Sequence, residues 1–253
     1  MTLSTSQWHQ RYQQQARWTQ NLRKYIYDQI GIQHANKILD IGCGTGVLEN
    51  ELNNHLSAHI FGLDINDNAL HIAQMYAPNS FYTHGDCFQL PFPAREFDVT
   101  LCHFLLLWVK QPLNAADEMV RVTQPHGFIV ALAEPDYGGR IDFPPELSQI
   151  GTWQTEALKE QGGNPFMGRE LRSIFSRAGL VNIEVGVLGG QWGEQLTDQE
   201  IKLEWEVIQS DLQQNNEFIK QEDKLKILDL ASRSSLQRIL FVPTFYAFGM
   251  VKG

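Results

Sequence analysis

Apolar and aromatic residues recur at Trp8, Tyr12, Ala16, Leu22, Ile26 and Ile30, mostly four positions apart. This spacing predicts an amphipathic helix or a bent helix pair over residues 6 to about 30, closed by Gly31. The period then changes. The runs KILDI, HIFGLD, SFYTH, FDVTLCH and GFIVALAE alternate with helical spacing at about 46–56, from Asn66 to Tyr76, and at about 112–123. Their apolar content is nearly continuous, which predicts parallel strands covered on both faces, a doubly wound α/β sheet. Beyond Glu134 the rhythm loosens: PDYGGRIDFPP reads as a turn-rich loop, followed by helices near 145–161 and 168–178, the second closed by Gly179. VNIEVGVLGG reads as another strand, Thr197 and Glu200 have the spacing of a capping box opening helices over about 197–239, and FVPTFYAFGMVKG reads as a terminal strand.

The 253 residues suffice for one sizeable core with an appended cap, and 43% hydrophobic with 19% charged residues is ordinary for a globular chain. A net charge of −9 argues against a polyanion-binding surface, so no nucleic-acid partner is expected. The N-terminus lacks a basic-then-apolar leader, and the longest apolar run, VTLCHFLLLWV, is too short to span a bilayer. The expectation is a cytoplasmic protein without membrane attachment. Cys43, Cys87 and Cys102 form no C-x-x-C pair, so neither a disulfide framework nor a metal site is signalled.

The first strand runs into ILDIGCGTG, with glycines at 42, 44 and 46 that permit a tight turn and close approach of a ligand to the backbone. The dinucleotide fingerprint needs glycine where Val47 stands, and the Gly-Lys-Ser/Thr of a P-loop is absent. Asp40 directly precedes the turn, where its charge would repel a phosphate but attract an ammonium or sulfonium group. A cationic ligand without phosphate fits, and S-adenosylmethionine is one. Asp64 ends the second strand, where a carboxylate can accept both ribose hydroxyls, and Asp86 follows the third, where an adenine edge would lie.

These stretches, ILDIGCGTG, GLDIN, GDCFQLPF, FDVTLCHFLLLWV and PHGFIVALAEPD, resemble the successive motifs of the class I S-adenosylmethionine-dependent methyltransferases. The bacterial group related to quinone-biosynthesis methyltransferases is the most similar. The resemblance covers roughly residues 30–190 and implies a Rossmann-like sheet of seven strands with the last antiparallel, FYAFGMVKG being that inserted strand. It implies S-adenosyl-L-methionine as cofactor and S-adenosyl-L-homocysteine as product. By position it assigns Asp40, Gly42, Cys43, Gly44 and Gly46 to the methionine and loop contacts. Asp64 and Ile65 would flank ribose and adenine, Asp86 and Cys87 the adenine, and His103 the methyl-transfer region. Around this core, residues 1–30 form an expected helical lid, and 31–253 carry helical cap insertions at about 137–178 and 195–240. Tyr12 and Arg17 of the lid are the polar groups expected to fold over the cofactor, Arg17 meeting the methionine carboxylate.

Methyl transfer from a sulfonium is an in-line displacement whose leaving group needs no proton, so proximity, alignment and desolvation are the main demands on the protein. A general base serves only where the acceptor must lose a proton; His103, Glu134 and Asp136 are the candidates, Glu134 alternatively fixing loop geometry. Trp8, Tyr12, Trp18, Trp108, Trp153, Trp192 and Trp205 either wall a flat or cationic acceptor or glue a cap to the sheet. CHFL stands where amino-group DNA methyltransferases carry Asn/Asp-Pro-Pro-Tyr, and no thiols lie outside the core motifs to support arsenite chemistry. The expected reaction is O-, N- or C-methylation of a small metabolite or natural-product intermediate. The alternatives are a non-catalytic S-adenosylmethionine-binding module and a nicotinamide-dependent oxidoreductase.

Overall fold

A computed structural model describes residues 4–187 and 196–253. The first periodic segment is a bent pair, α1 (Thr5–Trp18) and α2 (Gln20–Ile30). Ser4 and Gln7 form a capping box at its start, and Gly31 ends it in the left-handed region at φ 64°. There follow β1 (Lys37–Ile41), α3 (Val47–His55), β2 (His59–Asp64), α4 (Asp67–Tyr76), β3 (Phe81–His84), β4 (Phe97–Cys102), α5 (Pro112–Val122) and β5 (Thr123–Pro135). The remainder is β6 (Ile141–Phe143), α6 (Ser148–Glu160), α7 (Met167–Arg177), β7 (Val181–Val187), α8 (Asp198–Leu212), α9 (Asn216–Ser234), β8 (Ile239–Phe241) and β9 (Thr244–Met250).

The main sheet has seven strands in the order β3-β2-β1-β4-β5-β9-β7. Strands β1 to β5 pair in parallel, and β9 inserts antiparallel between β5 and β7. Alternate residues of each strand feed opposite cores. Leu39, Ile41, Leu63, Phe97, Ile129 and Ala131 pack with α5 and α7 on one face. Ile38, Ile60, Val99, Leu101, Val130 and Leu132 pack with α2 and α3 on the other. Asp40, between Ile38 and the glycine turn, shares the parity of the second set, which sends its carboxyl beneath α2 and α3.

A third core joins α6, α8 and α9 through Leu147, Ile150, Trp153, Trp205, Leu212, Phe218 and Leu225. Trp153 and Trp205 are therefore filling for this cap, at 8% and 1% exposure, and not walls for an acceptor. Trp192 lies outside the described residues. Helix α7, expected within the cap insertion, packs instead on the sheet through Met167, Leu171, Ile174 and Phe175. The turn-rich loop after Glu134 contains β6, which pairs antiparallel with β8. Three-residue strands leave too little period to be read in advance.

Buried charge ties these pieces together. Arg140 pairs with Asp142 at 2.6 Å, Arg238 with Asp142 at 2.8 Å and Asp229 at 2.7 Å, and Arg233 with Asp229 at 2.8 Å and Glu204 at 2.7 Å. The Trp205 indole N–H donates to Asp229 at 3.0 Å. Removing one partner of such a network strands a buried charge, so Arg238→Ala should cost about 3–5 kcal/mol in stability. Urea denaturation measures it, and a loss below about 1 kcal/mol would mean that the network is mutually replaceable.

Candidate cofactor site

The carboxyl ends of the parallel strands open onto one crevice, the place where open α/β sheets hold ligands. The turn after β1 needs glycine. Gly42 has φ 75°, and a Cβ there would lie 2.8 Å from the Leu105 side chain; at Gly44, φ 53°, it would lie 3.2 Å from the Tyr12 ring. Four amides of this turn are engaged inward. Gly42 and Cys43 donate to the Leu63 carbonyl at 2.7 and 3.0 Å, and Gly46 to the Cys43 carbonyl at 3.1 Å. Gly44 donates to Asp64 Oδ2 at 2.8 Å. The amides of Gly42, Cys43, Gly44 and Gly46 therefore form no phosphate cradle.

Asp64 is the hub of the crevice. Its Oδ1 accepts from the Asn66 amide at 2.8 Å, so both oxygens are fixed by backbone while each keeps a lone pair for a further donor. Ile65, beside it, is 69% exposed at the rim. Asp86 is exposed, with Oδ1 accepting from the Phe88 amide at 2.9 Å, and burial raises the Cys87 thiol to about 11. Cys43 is buried and its thiol pushed well up, first by burial and then by Glu49, Asp40 and Asp64. Both cysteines are neutral at ordinary pH and present backbone and bulk more than reactive sulfur.

Beneath the turn lies a group that sequence reasoning missed. Glu49 of α3 is fully buried, neither of its carboxyl oxygens has a hydrogen-bond donor, and Asp40 Oδ1 is likewise without one. Gly62 makes room: a Cβ there would lie 2.7 Å from Glu49 Oε1, 2.9 Å from Cys43 Sγ and 2.9 Å from the Tyr82 ring. Burial, and then mutual repulsion in the case of Glu49 and Asp64 in the case of Asp40, pushes both carboxyls well above the usual carboxylate range. Two buried carboxyls that repel each other share a proton, a tendency that Arg23 opposes at Asp40 without outweighing burial. The signal was present in the sequence, because Glu49 stands three residues before buried Leu52, on the inward face of α3.

Helix α1 lies across the turn. His9 Nδ1 and Thr45 Oγ1 are 2.7 Å apart, the Tyr12 ring covers Gly44, and Trp8 stacks on Tyr12 at 5.8 Å. The other side of α1 is pinned to α8, where Gln14 Nε2 donates to the Glu200 carbonyl at 3.4 Å. Arg17 also faces α8: it pairs with Glu200 at 3.0 Å with 60% of its side chain exposed. This corrects the expectation that Arg17 reaches the cofactor, since its helix face points away from the glycine turn that Tyr12 touches.

His103 follows β4, and its Nε2 lies 3.0 Å from Thr19 Oγ1 at the bend between α1 and α2. Burial, and then Arg23, pushes its imidazole down to about 3, so the ring is neutral at ordinary pH. Arg23, 1% exposed, donates to Thr19 Oγ1 and the Ala16 carbonyl and pairs with Glu51. Glu134 is fully buried. Its Oε1 accepts from the Leu105 and Leu106 amides at 3.0 and 2.8 Å and its Oε2 from Leu107 at 3.0 Å; burial raises it to about 8 against the pull of those donors. With its lone pairs so engaged and no exposed surface, Glu134 fixes the loop after β4 and is not a free base. Asp136 is buried too, accepting from Gly138 at 3.0 Å and pairing with Arg169.

The chemistry of these groups suits S-adenosylmethionine: carboxyl groups at the ends of β1, β2 and β3, a turn with four of its amides engaged inward, and an aromatic residue over the turn. Residues 39–131 match the family described as a methyltransferase domain. The demethylmenaquinone methyltransferase of Geobacillus stearothermophilus is 29% identical over 188 residues, covering 64% of this chain and 78% of its own. The YcgJ protein of Bacillus subtilis superposes with a TM-score of 0.55 at 18% identity, over 89% of this chain and 97% of that one. The Haemonchus contortus phosphoethanolamine N-methyltransferase 2, solved with phosphomonomethylethanolamine and S-adenosylhomocysteine, superposes with a TM-score of 0.53 at 15% identity, over 86% and 49%. These findings support a class I S-adenosylmethionine-dependent methyltransferase. Its cofactor is S-adenosylmethionine, and its fold is the expected Rossmann-like one with the last strand antiparallel. The matched domain and these relatives speak against the nicotinamide reading. No helix among the described residues is long and apolar enough to cross a membrane.

Proposed function

We propose that this methyltransferase transfers the methyl group to a small-molecule acceptor held beneath α1. The observation that carries the proposal is the roof itself. Helix α1 spans the glycine turn through His9 and Tyr12 and is bonded to α8 through Gln7, Gln14 and Arg17. An acceptor as large as a nucleic-acid strand would have to displace that roof, and a net charge of −9 opposes polyanions besides. The quinone-acting relatives support a small acceptor.

The bound cofactor supplies a methyl group on a sulfonium that leaves without protonation. The chain's own residues bind, orient and exclude water. In this reading Asp64 accepts the ribose hydroxyls, Asp86 and Cys87 flank the adenine through side chain and backbone, and Ile65 covers its edge. Gly42, Cys43, Gly44 and Gly46 let the methionine end approach the turn, Asp40 supports the turn from below as one of a proton-sharing pair with Glu49, and Tyr12 closes over it. His103, neutral and held by Thr19, meets the acceptor in this reading as a hydrogen-bond partner that orients it, since a pKa lowered to about 3 makes the imidazole a weak base. Glu134 acts one step back, as the positioning residue that sets the loop carrying Leu105 to Leu107.

The test is transfer of label from methyl-labelled S-adenosylmethionine to a cell extract separated by size. The expected product runs with the small-molecule fraction and disappears with His103→Ala or Asp64→Ala. Label appearing only in the macromolecular fraction would overturn the small-acceptor reading.

A further inference from the structure

Arg11 of α1 has no place in the cofactor contacts above, yet its surroundings are built. Its guanidinium lies over the Trp18 indole, 4.6 Å from the ring centroid, and Nη1 donates to Gln14 Oε1 at 2.7 Å. Gln14 is itself fully buried and held by the Glu200 carbonyl, so the oxygen it offers Arg11 is fixed. Among the described residues no carboxylate lies within ion-pair distance of Arg11. One of five N–H donors is used, and the cation is stacked and fixed without a counter-ion.

The groups that act on Arg11 at longer range come from the cap: Glu204 and Asp211 of α8, and Tyr137 after β5. Glu204 is engaged by Arg233 at 2.7 Å, and Asp211 accepts from Gln154 at 3.1 Å. The Tyr137 hydroxyl has no hydrogen-bond partner among the described residues. Burial is the largest influence on Arg11 and lowers its pKa, while part of the side chain stays open to solvent, where an incoming anion can meet it.

We propose that Arg11 is the anion-binding residue of the acceptor site, and that the acceptor carries a carboxylate or phosphate which the Arg11 guanidinium grips while Tyr137 and Asp211 face its remainder. This rests on the small-acceptor reading. The assignment to acceptor and not to the cofactor's own carboxylate follows from the company Arg11 keeps: Tyr137, Glu204 and Asp211 belong to the cap, whereas Asp64 and Asp86 mark the strand ends where the cofactor lies. A fork of two parallel N–H groups matches either anion and gives it direction as well as affinity.

The experiment uses the full chain saturated with S-adenosylhomocysteine and three probes of one shape, benzoate, phenyl phosphate and uncharged benzamide, followed by ligand-observed NMR and calorimetry. Benzoate or phenyl phosphate should bind at least tenfold more tightly than benzamide. Arg11→Gln should abolish that preference while leaving S-adenosylhomocysteine affinity within about twofold, and Arg11→Lys should retain part of it. Equal binding of charged and neutral probes, or no binding of the anions, overturns the proposal. So does an Arg11→Gln variant that keeps the preference but loses S-adenosylhomocysteine, which would give the guanidinium to the cofactor. Thermal unfolding of both variants separates these outcomes from loss of the fold. The size-fractionated label transfer described above fails independently, since anion preference is read without any turnover.

Discussion

Replacing Asp64 by alanine is expected to weaken S-adenosylmethionine binding by about a hundredfold or more, close to 3 kcal/mol. The carboxylate is fixed at both oxygens by the Gly44 and Asn66 amides, so in the proposed assignment it receives the ribose hydroxyls without rearrangement. Hydrogen bonds to a charged acceptor are worth about 1.5–3 kcal/mol each, and two would be lost. Asp64→Asn keeps one carbonyl acceptor and should fall between wild type and alanine. Calorimetric titration of each variant measures this directly. Alanine and wild type binding alike would place the ribose elsewhere.

The second large effect concerns the buried pair of Asp40 and Glu49. Both carboxyls are raised in the folded chain, so above the ordinary carboxylate range the unfolded chain has released protons that the folded chain still holds. Wild-type stability contributed by the pair is therefore largest at low pH and is lost as pH rises toward the elevated range. Glu49→Gln removes one of the two acids and relieves the other, so its stability relative to wild type should climb with pH. The slope reaches up to about 1.4 kcal/mol per pH unit for one proton. Tyr82, Cys43 and Asp64 face Glu49 from the neighbouring elements, with Tyr27 and Arg23 nearby on α2, and none changes in the variant. Urea denaturation of both proteins between about pH 4 and 8 gives the comparison. Parallel curves would show that the pair is not protonated in the fold.

The strand–helix alternation was legible because nearly continuous apolar runs and glycine punctuation report directly on a parallel sheet. The capping box at Thr197 was legible for the same local reason. Contacts set by distant segments were not. Glu134 receives three amides from residues 27 to 29 positions earlier, which no spacing reveals. Arg17 and Arg11 stand six residues apart, about 240° around the helix, and nothing local states which side meets α8 at Glu200 and which lies toward Tyr137 and Asp211. Trp153 and Trp205 satisfy the pattern of a wall or a core equally; the cap that buries them is assembled from α6, α8 and α9 across more than 60 residues of chain. Strands β6 and β8 were invisible because each is three residues long.

The crevice above the glycine turn is expected to receive a cofactor without phosphate. Calorimetric titration of the wild-type chain with S-adenosylmethionine, S-adenosylhomocysteine and NAD tests it most directly. Micromolar binding of the first two with none of NAD is the predicted result; binding of NAD, or a failure of both adenosyl ligands, would contradict the account.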